Sequence, residues 1–333
     1  MVFLTSFLNA CPGAIGQGLI WGLMAIGVYV TFRILDVADL TVDGSLATGG
    51  IVCVMLLRAG WNVWLAMLVA FIAGAAAGLV TGLLHTKMGI PAILAGILTQ
   101  LSLYSINLWI MGFKANQPVS VDKYGLLVSQ RYVRNFKGLS EALAGADSGK
   151  LKMIVATVFQ NPLVVGLLFT VVLIAALYCF FGTEKGCSLR ATGCNEGMAK
   201  AQGINTDNNK ILGLAISNGI VALSGALVAQ YQGSSDVNMG RGAIVIGLAA
   251  VIIGEVIFGK IFRNLALKLL AVSIGAVIYY RVIQFVLQLG LRTDFLKLLS
   301  AVVVALFLGI PYWKGKLPHK KTPGVSKEAA ENA

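Results

Sequence analysis

The groups able to do chemistry in this chain are few, and most sit inside or beside long apolar runs. An acidic cluster, Asp36, Asp39 and Asp43, lies in RILDVADLTVDGS at 33–45. Asp39 and Asp43 are four residues apart and share a face if the segment is helical. Asp43 is equally placed to cap a helix beginning near Gly44, with its carboxylate at the positive helix end. Further on, Gln100, Tyr104, Asn107 and Met111 recur at i, i+4, i+7 and i+11, within about 60° of one another on a helical wheel. That stripe either lines a polar pathway or supplies hydrogen bonds between helices. Arg281, Gln284 and Gln288 make a second polar face, with Arg281 eight residues, about 12 Å of helix, from the outer end of the apolar run at 289. Such an Arg is too deep to snorkel freely and wants a partner or a wet cavity. By depth the nearest acidic candidate is Glu255. With Asn218, the residues Asp39, Asp43, Gln100, Tyr104, Asn107 and Arg281 are the candidates for a solute pathway.

None of these sets makes an enzyme. The carboxylates have no nucleophile or metal ligand to serve, and His85 and His319 stand apart at a run end and in the tail. Cys11, Cys53, Cys179, Cys187 and Cys194 are an odd number, and the Cys-x6-Cys pair has no histidine nearby to complete a zinc site. Gly254-x4-Gly259-Lys260 imitates the start of a phosphate-binding loop, but Ile261 stands where Ser or Thr must hold magnesium and no strand precedes it. No catalytic, metal or cofactor site is expected in this chain, and any ATP and magnesium belong to another subunit.

These polar groups must be positioned by membrane helices. The chain of 333 residues is 57% hydrophobic and 12% charged, against about 25% charged in soluble domains. The net charge of +12 is spread between apolar blocks and in the tail, which argues against nucleic acid. Runs long enough to cross about 30 Å of hydrocarbon are expected at 13–34, 44–58, 62–86, 90–112, 161–182, 211–230, 242–259, 266–289 and 295–313. The fold class is therefore an all-α polytopic membrane protein of about 8–10 transmembrane helices, with residues 1–312 as the membrane part and 313–333 as a basic tail. The second run is short and follows the acidic stretch, so a broken helix is expected there. Repeated small residues, Gly74, Gly78 and Gly82, with Gly18 and Gly22, suit close helix packing.

Lys and Arg in the short loops set the orientation. With 183–210 and the tail on the cytoplasmic side, the inner segments hold Lys87, Lys185, Arg190, Lys200, Lys210, Lys260, Arg263, Lys268 and the lysines of the tail. The short outer segments hold Arg58, Arg241, Arg292 and Lys297. The long segment 113–160 then lies outside, and the tail lysines suit an anionic inner leaflet.

The segment 183–210, TEKGCSLRATGCNEGMAKAQGINTDNNK, is unusually long and polar for a loop between spans. A short helix is expected over 195–202, with Asn195 as N-cap and Gly203 just past its end. Its stretch LRATGCNEGMAKAQGIN resembles the coupling region of the permease subunit of bacterial ABC importers in the branched-chain amino acid and ribose permease family. Arg190, Ala191, Thr192, Gly193, Asn195, Glu196, Ala199, Gly203 and Ile204 match that pattern. RILDVADLTVDGS and LAGILTQLSLYSINLWIMG at 94–112 resemble the single-permease branch associated with aromatic amino acids, tryptophan especially.

The resemblance implies a type II-like importer fold, a homodimer of this chain in the bacterial inner membrane, and two cytoplasmic ABC ATPase subunits. Those ATPases would dock on coupling loops in which Arg190, Gly193, Asn195, Glu196 and Gly203 carry the contact. It also implies an extracytoplasmic substrate-binding protein that delivers an amino acid; related branches carry sugars and nucleosides. The segment 113–160 departs from the pattern by its size, and is either a seat for that binding protein or a tolerated insertion. A stand-alone ion-coupled transporter is the rival reading, with Asp39 and Asp43 as its ion site, although no inverted repeat supports it.

Overall fold

The computed structural model describes residues 2–120, 123–129, 161–259 and 264–288, with 261, 262 and six single positions between 298 and 309. The described residues form ten helices and a small ribbon. Helix α1 (Val2–Tyr29) runs on through a π-helical turn (Val30–Ile34) and is followed by α2 (Thr41–Arg58), α3 (Val63–Thr86) and α4 (Ala92–Ile110). Strand β1 (Asn116–Pro118) precedes α5 (Pro162–Phe181), α6 (Glu184–Cys194), α7 (Glu196–Ala201) and α8 (Thr206–Gln232). Strand β2 (Ser234–Asp236), α9 (Ala243–Phe258) and α10 (Leu265–Gln288) complete the order. Among the described residues seven helices are long and apolar enough to cross a membrane, and α9 is a shorter apolar helix. Eight of the nine expected runs thus correspond to apolar helices, while most of 295–313 and most of 113–160 lie outside the described residues, as does the tail.

The bundle is built around α8, which packs against α1, α2 and α3. Its seam with α3 is made by glycine. A Cβ on Gly74 would strike Ala222 and the Asn218 carbonyl, one on Gly78 the Leu214 carbonyl, and one on Gly82 would sit 2.8 Å from the Ile211 Cα. Backbones therefore touch without side chains between them, as small-residue repeats allow in hydrocarbon. Gly18 and Gly22 do the same for α1 against Val277 and Ser273 of α10. The opposite faces of α3, α4 and α5 expose Trp64, Leu68, Ile72, Leu101, Trp109, Leu167 and Val172. So large an apolar surface belongs against lipid or another apolar partner.

Two interruptions shape the interior. The first comes earlier than expected: α2 is unbroken from Thr41, and the break is the stretch 35–40 between it and the π-turn. Leu35 N–H donates to Val30 O and Val37 N–H to Thr31 O, after which Asp36 adopts φ 55°, a left-handed conformation that Asp tolerates better than most residues. The second follows α8. Gly233 ends that helix at φ 74°, β2 pairs antiparallel with β1, and the chain returns to begin α9 after Gly242 at φ 85°. With 16 residues, α9 rises about 24 Å, short of the hydrocarbon thickness, so one of its ends lies within the bundle.

Candidate solute pathway

Each interruption is held by one of the aspartates. Asp39 accepts from the Thr41 amide at 2.9 Å through Oδ1 and from Asn218 Nδ2 at 2.6 Å through Oδ2, and is 3% exposed. Asn218 also accepts from Ser45 Oγ at 2.6 Å and donates to Leu214 O at 3.0 Å. It lies twelve residues into α8, about 18 Å along the helix, so the break carries a carboxylate to mid-depth. A buried carboxylate needs this many donors to be tolerated. Beside it, Thr41 and Thr81 share a 2.7 Å bond, and Thr81 donates to Thr99 at 2.9 Å, joining α2, α3 and α4.

Asp43 does not cap its own helix as expected. Helix α2 has already begun at Thr41, and Asp39 supplies the acceptor for its first turn. Asp43 points across instead: Oδ2 accepts from Gly242 N–H and Oδ1 from Ile244 N–H, both at 2.9 Å. Gly240 makes this possible, since a Cβ there would collide with the Asp43 carbonyl. The carboxylate thus neutralises the positive end of α9 at the edge of the bundle.

Next to that cap lies a cavity of about 290 Å³, lined by Asp43, Gly44, Ala47, Gln100, Leu101, Tyr104, Asn107, Val237 and Arg241. Four of the expected pathway residues, Asp43, Gln100, Tyr104 and Asn107, therefore meet at one place. The α4 stripe divides there, because Met111 is buried with Ile51 and Val237 instead. Asn107 is 1% exposed, and its Oδ1 has no hydrogen-bond partner among the described residues.

The residue that sequence reasoning missed is Arg241. It was counted with the outer loops, yet its guanidinium stands 5.9 Å from the centre of the Tyr104 ring, at cation–π distance. Its setting, Gly240-Arg241-Gly242 just before an apolar run, reads as a loop by composition; the pairing of β1 with β2 brings that exposed loop over Tyr104. The ribbon is itself tied down by Arg58, which bonds Gln117, while Gln117 donates to Met111 O at 3.1 Å.

Three expected residues, Asp39, Asn218 and Arg281, lie apart from the cavity. Asn218 belongs to the Asp39 network just described. Arg281 of α10 bonds the Cys11 thiol of α1, and the partner expected for it, Glu255, pairs with Arg33 at 2.9 Å. Gly254 packs on Ala271, so Arg281, ten residues further along α10, stands about 15 Å in depth from the level of Glu255.

At the far end, the expected short helix is present as α7. Asn195 Oδ1 accepts from Met198 N–H at 3.0 Å. Gly203 N–H donates to Lys200 O and Ile204 N–H to Ala199 O, each at 3.0 Å, which with Gly203 at φ 78° completes a Schellman cap. An additional helix, α6, precedes it, capped by Thr183 and unanticipated, although Thr183-Glu184 is a fair start signal. Glu196 pairs with Lys210 at 2.8 Å and Lys200 at 3.1 Å, and these hydrogen bonds pull its carboxyl down to about 2. Arg190 is exposed beside a groove of about 620 Å³ formed with Tyr178, Thr183 and Asn264. Gly193 faces inward, close enough to the break that a Cβ would strike Ile34 O. Met198, by contrast, stands 62% exposed on α7.

Broken helices whose inner ends are capped by side chains, around a polar cavity in an apolar bundle, define a multi-pass membrane permease and not an enzyme. Residues 13–311 match the family described as the branched-chain amino acid transport system permease component. The chain belongs to that family, and is the permease component of an ABC transporter, whose ATPase is a separate subunit. It is 40% identical over 292 residues to a tyrosine transport system permease protein of Clostridioides difficile (strain R20291), covering 88% of each chain. It is 31% identical to an uncharacterised protein of Rickettsia prowazekii (strain Madrid E), over 90% of this chain and 97% of the relative. The ribose import permease protein of Escherichia coli (strain K12) is 24% identical over 90% of this chain and 84% of its own.

Proposed function

We propose that this chain is the membrane subunit of an ATP-driven importer of an aromatic amino acid. In this reading two copies form a homodimer in the inner membrane of a bacterium, and an extracytoplasmic binding protein hands the solute to the face that carries β1 and β2. Two ABC ATPase subunits dock at the opposite, cytoplasmic end on α6 and α7, with Arg190, Asn195, Glu196 and the exposed Met198 as the contact surface. Gly193 and Gly203 shape that element without touching the ATPase. The basic tail rests on the anionic inner leaflet.

The observation that carries the amino-acid reading is the likeness to the tyrosine transport permease, at 40% identity over 88% of the chain. A ribose import permease at 24% is a more distant relative. The cavity suits the same reading, since it presents a cation and two amides beside the Tyr104 ring. ATP-driven closure of the ATPases would move α6 against the π-turn through the Gly193–Ile34 contact, and the break at 35–40 would carry that movement to Asp39 and Asp43. Transport is then a switch between two discrete packings of the bundle, open to either side in turn.

The test is ATP hydrolysis and uptake by the permease reconstituted in lipid with the ATPase and binding protein encoded beside it. Hydrolysis stimulated by loaded binding protein, with uptake of labelled tyrosine or tryptophan, supports the reading. A folded permease that associates with no ATPase overturns the docking role, and uptake of a sugar alone overturns the choice of solute.

A further inference from the structure

We infer that the cavity at Asp43, Gln100, Tyr104, Asn107 and Arg241 is a binding subsite in the permease itself for a free aromatic amino acid, held as its zwitterion. The inference rests on the amino-acid reading above and adds that the solute is recognised a second time after the binding protein releases it.

The cation comes first. Arg241 is exposed at the open side of the cavity and forms no ion pair among the described residues. Its guanidinium carbon stands 5.9 Å from the centre of the Tyr104 ring, which keeps the charge at the cavity mouth. The forked N–H donors are available to an anion there, and a carboxylate fits that fork in bidentate fashion.

The complementary half is an acceptor. Asn107 belongs to the same cavity lining, and its Oδ1 is buried behind that wall with no hydrogen-bond partner among the described residues. Buried acceptors are nearly always satisfied, and a turn of this amide about its last side-chain bond aims the oxygen at a donor in the cavity. An ammonium group supplies three such donors. Asp43 is not the direct partner, because both its oxygens are taken by the amides of Gly242 and Ile244. Its charge still favours a cation nearby, and Gln100 lines the wall between the two poles.

The rest of the lining is apolar or aromatic: Ala47, Leu101, Val237 and the Tyr104 ring. A volume of about 290 Å³ is at the lower end of small-ligand pockets, the size of one free amino acid and too small for a peptide. Charge at two poles with an apolar wall selects an amino acid bearing a large uncharged side chain.

The experiment uses the assembled permease–ATPase complex in lipid nanodiscs, without binding protein, in nucleotide-free and ATP-analogue-bound forms. Binding of labelled L-tyrosine and L-tryptophan is measured, with unlabelled tyramine, which lacks the carboxylate, as competitor. The expected result is saturable binding of at least one amino acid, not displaced by equal tyramine. Arg241→Gln should weaken it about tenfold or more, the scale of a lost charge-assisted pair. Arg241→Lys, which keeps the charge and loses the fork, should fall between. If Arg241→Gln fails to assemble, the tyramine competition and Arg241→Lys decide. No saturable binding to the wild-type complex, or equal displacement by tyramine, overturns the subsite. Should the complete transporter import tyrosine or tryptophan while the complex binds neither, the subsite alone fails; should it import neither, the amino-acid reading fails first.

Discussion

Along the seam between α3 and α8, Gly74, Gly78 and Gly82 set backbone on backbone, and a single added Cβ would meet main-chain atoms at each. Where α4 faces α2 and the returning segment 237–242, the packing opens into a cavity lined in part by Asn107, whose amide oxygen is buried and unpartnered among the described residues. The seam has no slack and no alternative register without side-chain clashes. The cavity wall is held by single groups, Asp43 on a helix end and Arg241 on a ring, each able to exchange its partner for another. A permease needs both materials: a frame that transmits force without yielding, and a wall that can rearrange between discrete states.

The seam is where the largest effect is expected. Gly78→Val places a branched side chain on the Leu214 carbonyl, backbone that cannot rotate away. Overpacking of this kind costs about 1–3 kcal/mol or more, a large share of the stability of most domains. The variant should fail to reach the membrane in folded form, as read by fluorescence-detected size exclusion. A monodisperse, active Gly78→Val protein would remove the distinction between frame and wall.

On the wall, the cap comes next. Asp43→Ala leaves the Gly242 and Ile244 amides without their acceptor, a loss of about 1–2 kcal/mol at a helix N-terminus. The protein should remain folded with a lowered melting temperature and lose most of its transport, because the start of α9 and Arg241 beside it lose their anchor. Asp43→Asn, which keeps an acceptor oxygen, should restore part of both. Equal behaviour of the two variants would show that Asp43 acts through charge alone.

Asn107→Leu separates wall from frame more sharply, since the two materials predict opposite signs. Replacing an unsatisfied buried amide by a side chain of similar size removes a desolvation penalty of about 1–3 kcal/mol. The variant should be thermally more stable than the wild type and yet import less solute. If stability falls and transport is unchanged, the Asn107 amide is packing glue within α4's contacts and not part of the pathway.

What the sequence made legible follows the same division. The glycine repeat of α3 and the stripe of α4 obey helical spacing, so their shared faces could be read from the spacing of residue types alone. The capped helix at 195–202 was equally readable, because Asn195 and Gly203 act on neighbours within one turn. Arg241 could not be found this way: its place depends on a three-residue ribbon joining 116–118 to 234–236 across the chain, and nothing local announces that pairing. Asp43 was recognised as a helix cap, but for the wrong helix, since the helix it caps begins 200 residues later in the chain. Local rules identify what a side chain can do, and tertiary return of the chain decides for whom.

The smallest expected effect concerns the docking end, which resembles the frame in its regular caps and the wall in its exchangeable ion pairs. The hydrogen bonds from Lys210 and Lys200 hold the Glu196 carboxyl near 2, below the ordinary value of about 4.3. A carboxyl depressed in the folded state contributes stability in full above the unfolded value, and that contribution declines as pH falls from about 4.3 and is gone below about 2. Glu196 is 39% exposed, so solvent screening keeps the pair's worth to about 1 kcal/mol or less, about fivefold in a local opening equilibrium. Hydrogen exchange of the amides of α7 and the first turn of α8, corrected for intrinsic rates, should therefore show wild-type protection falling by no more than about fivefold between pH 6 and pH 2. Glu196→Gln should lower protection by a similar amount at pH 6 and show no further loss on acidification. If wild type and variant fall together, other carboxyl groups control this end. If the variant instead keeps full protection but no longer binds the ATPase, Glu196 meets the partner directly, and its two lysines only hold it in place until docking.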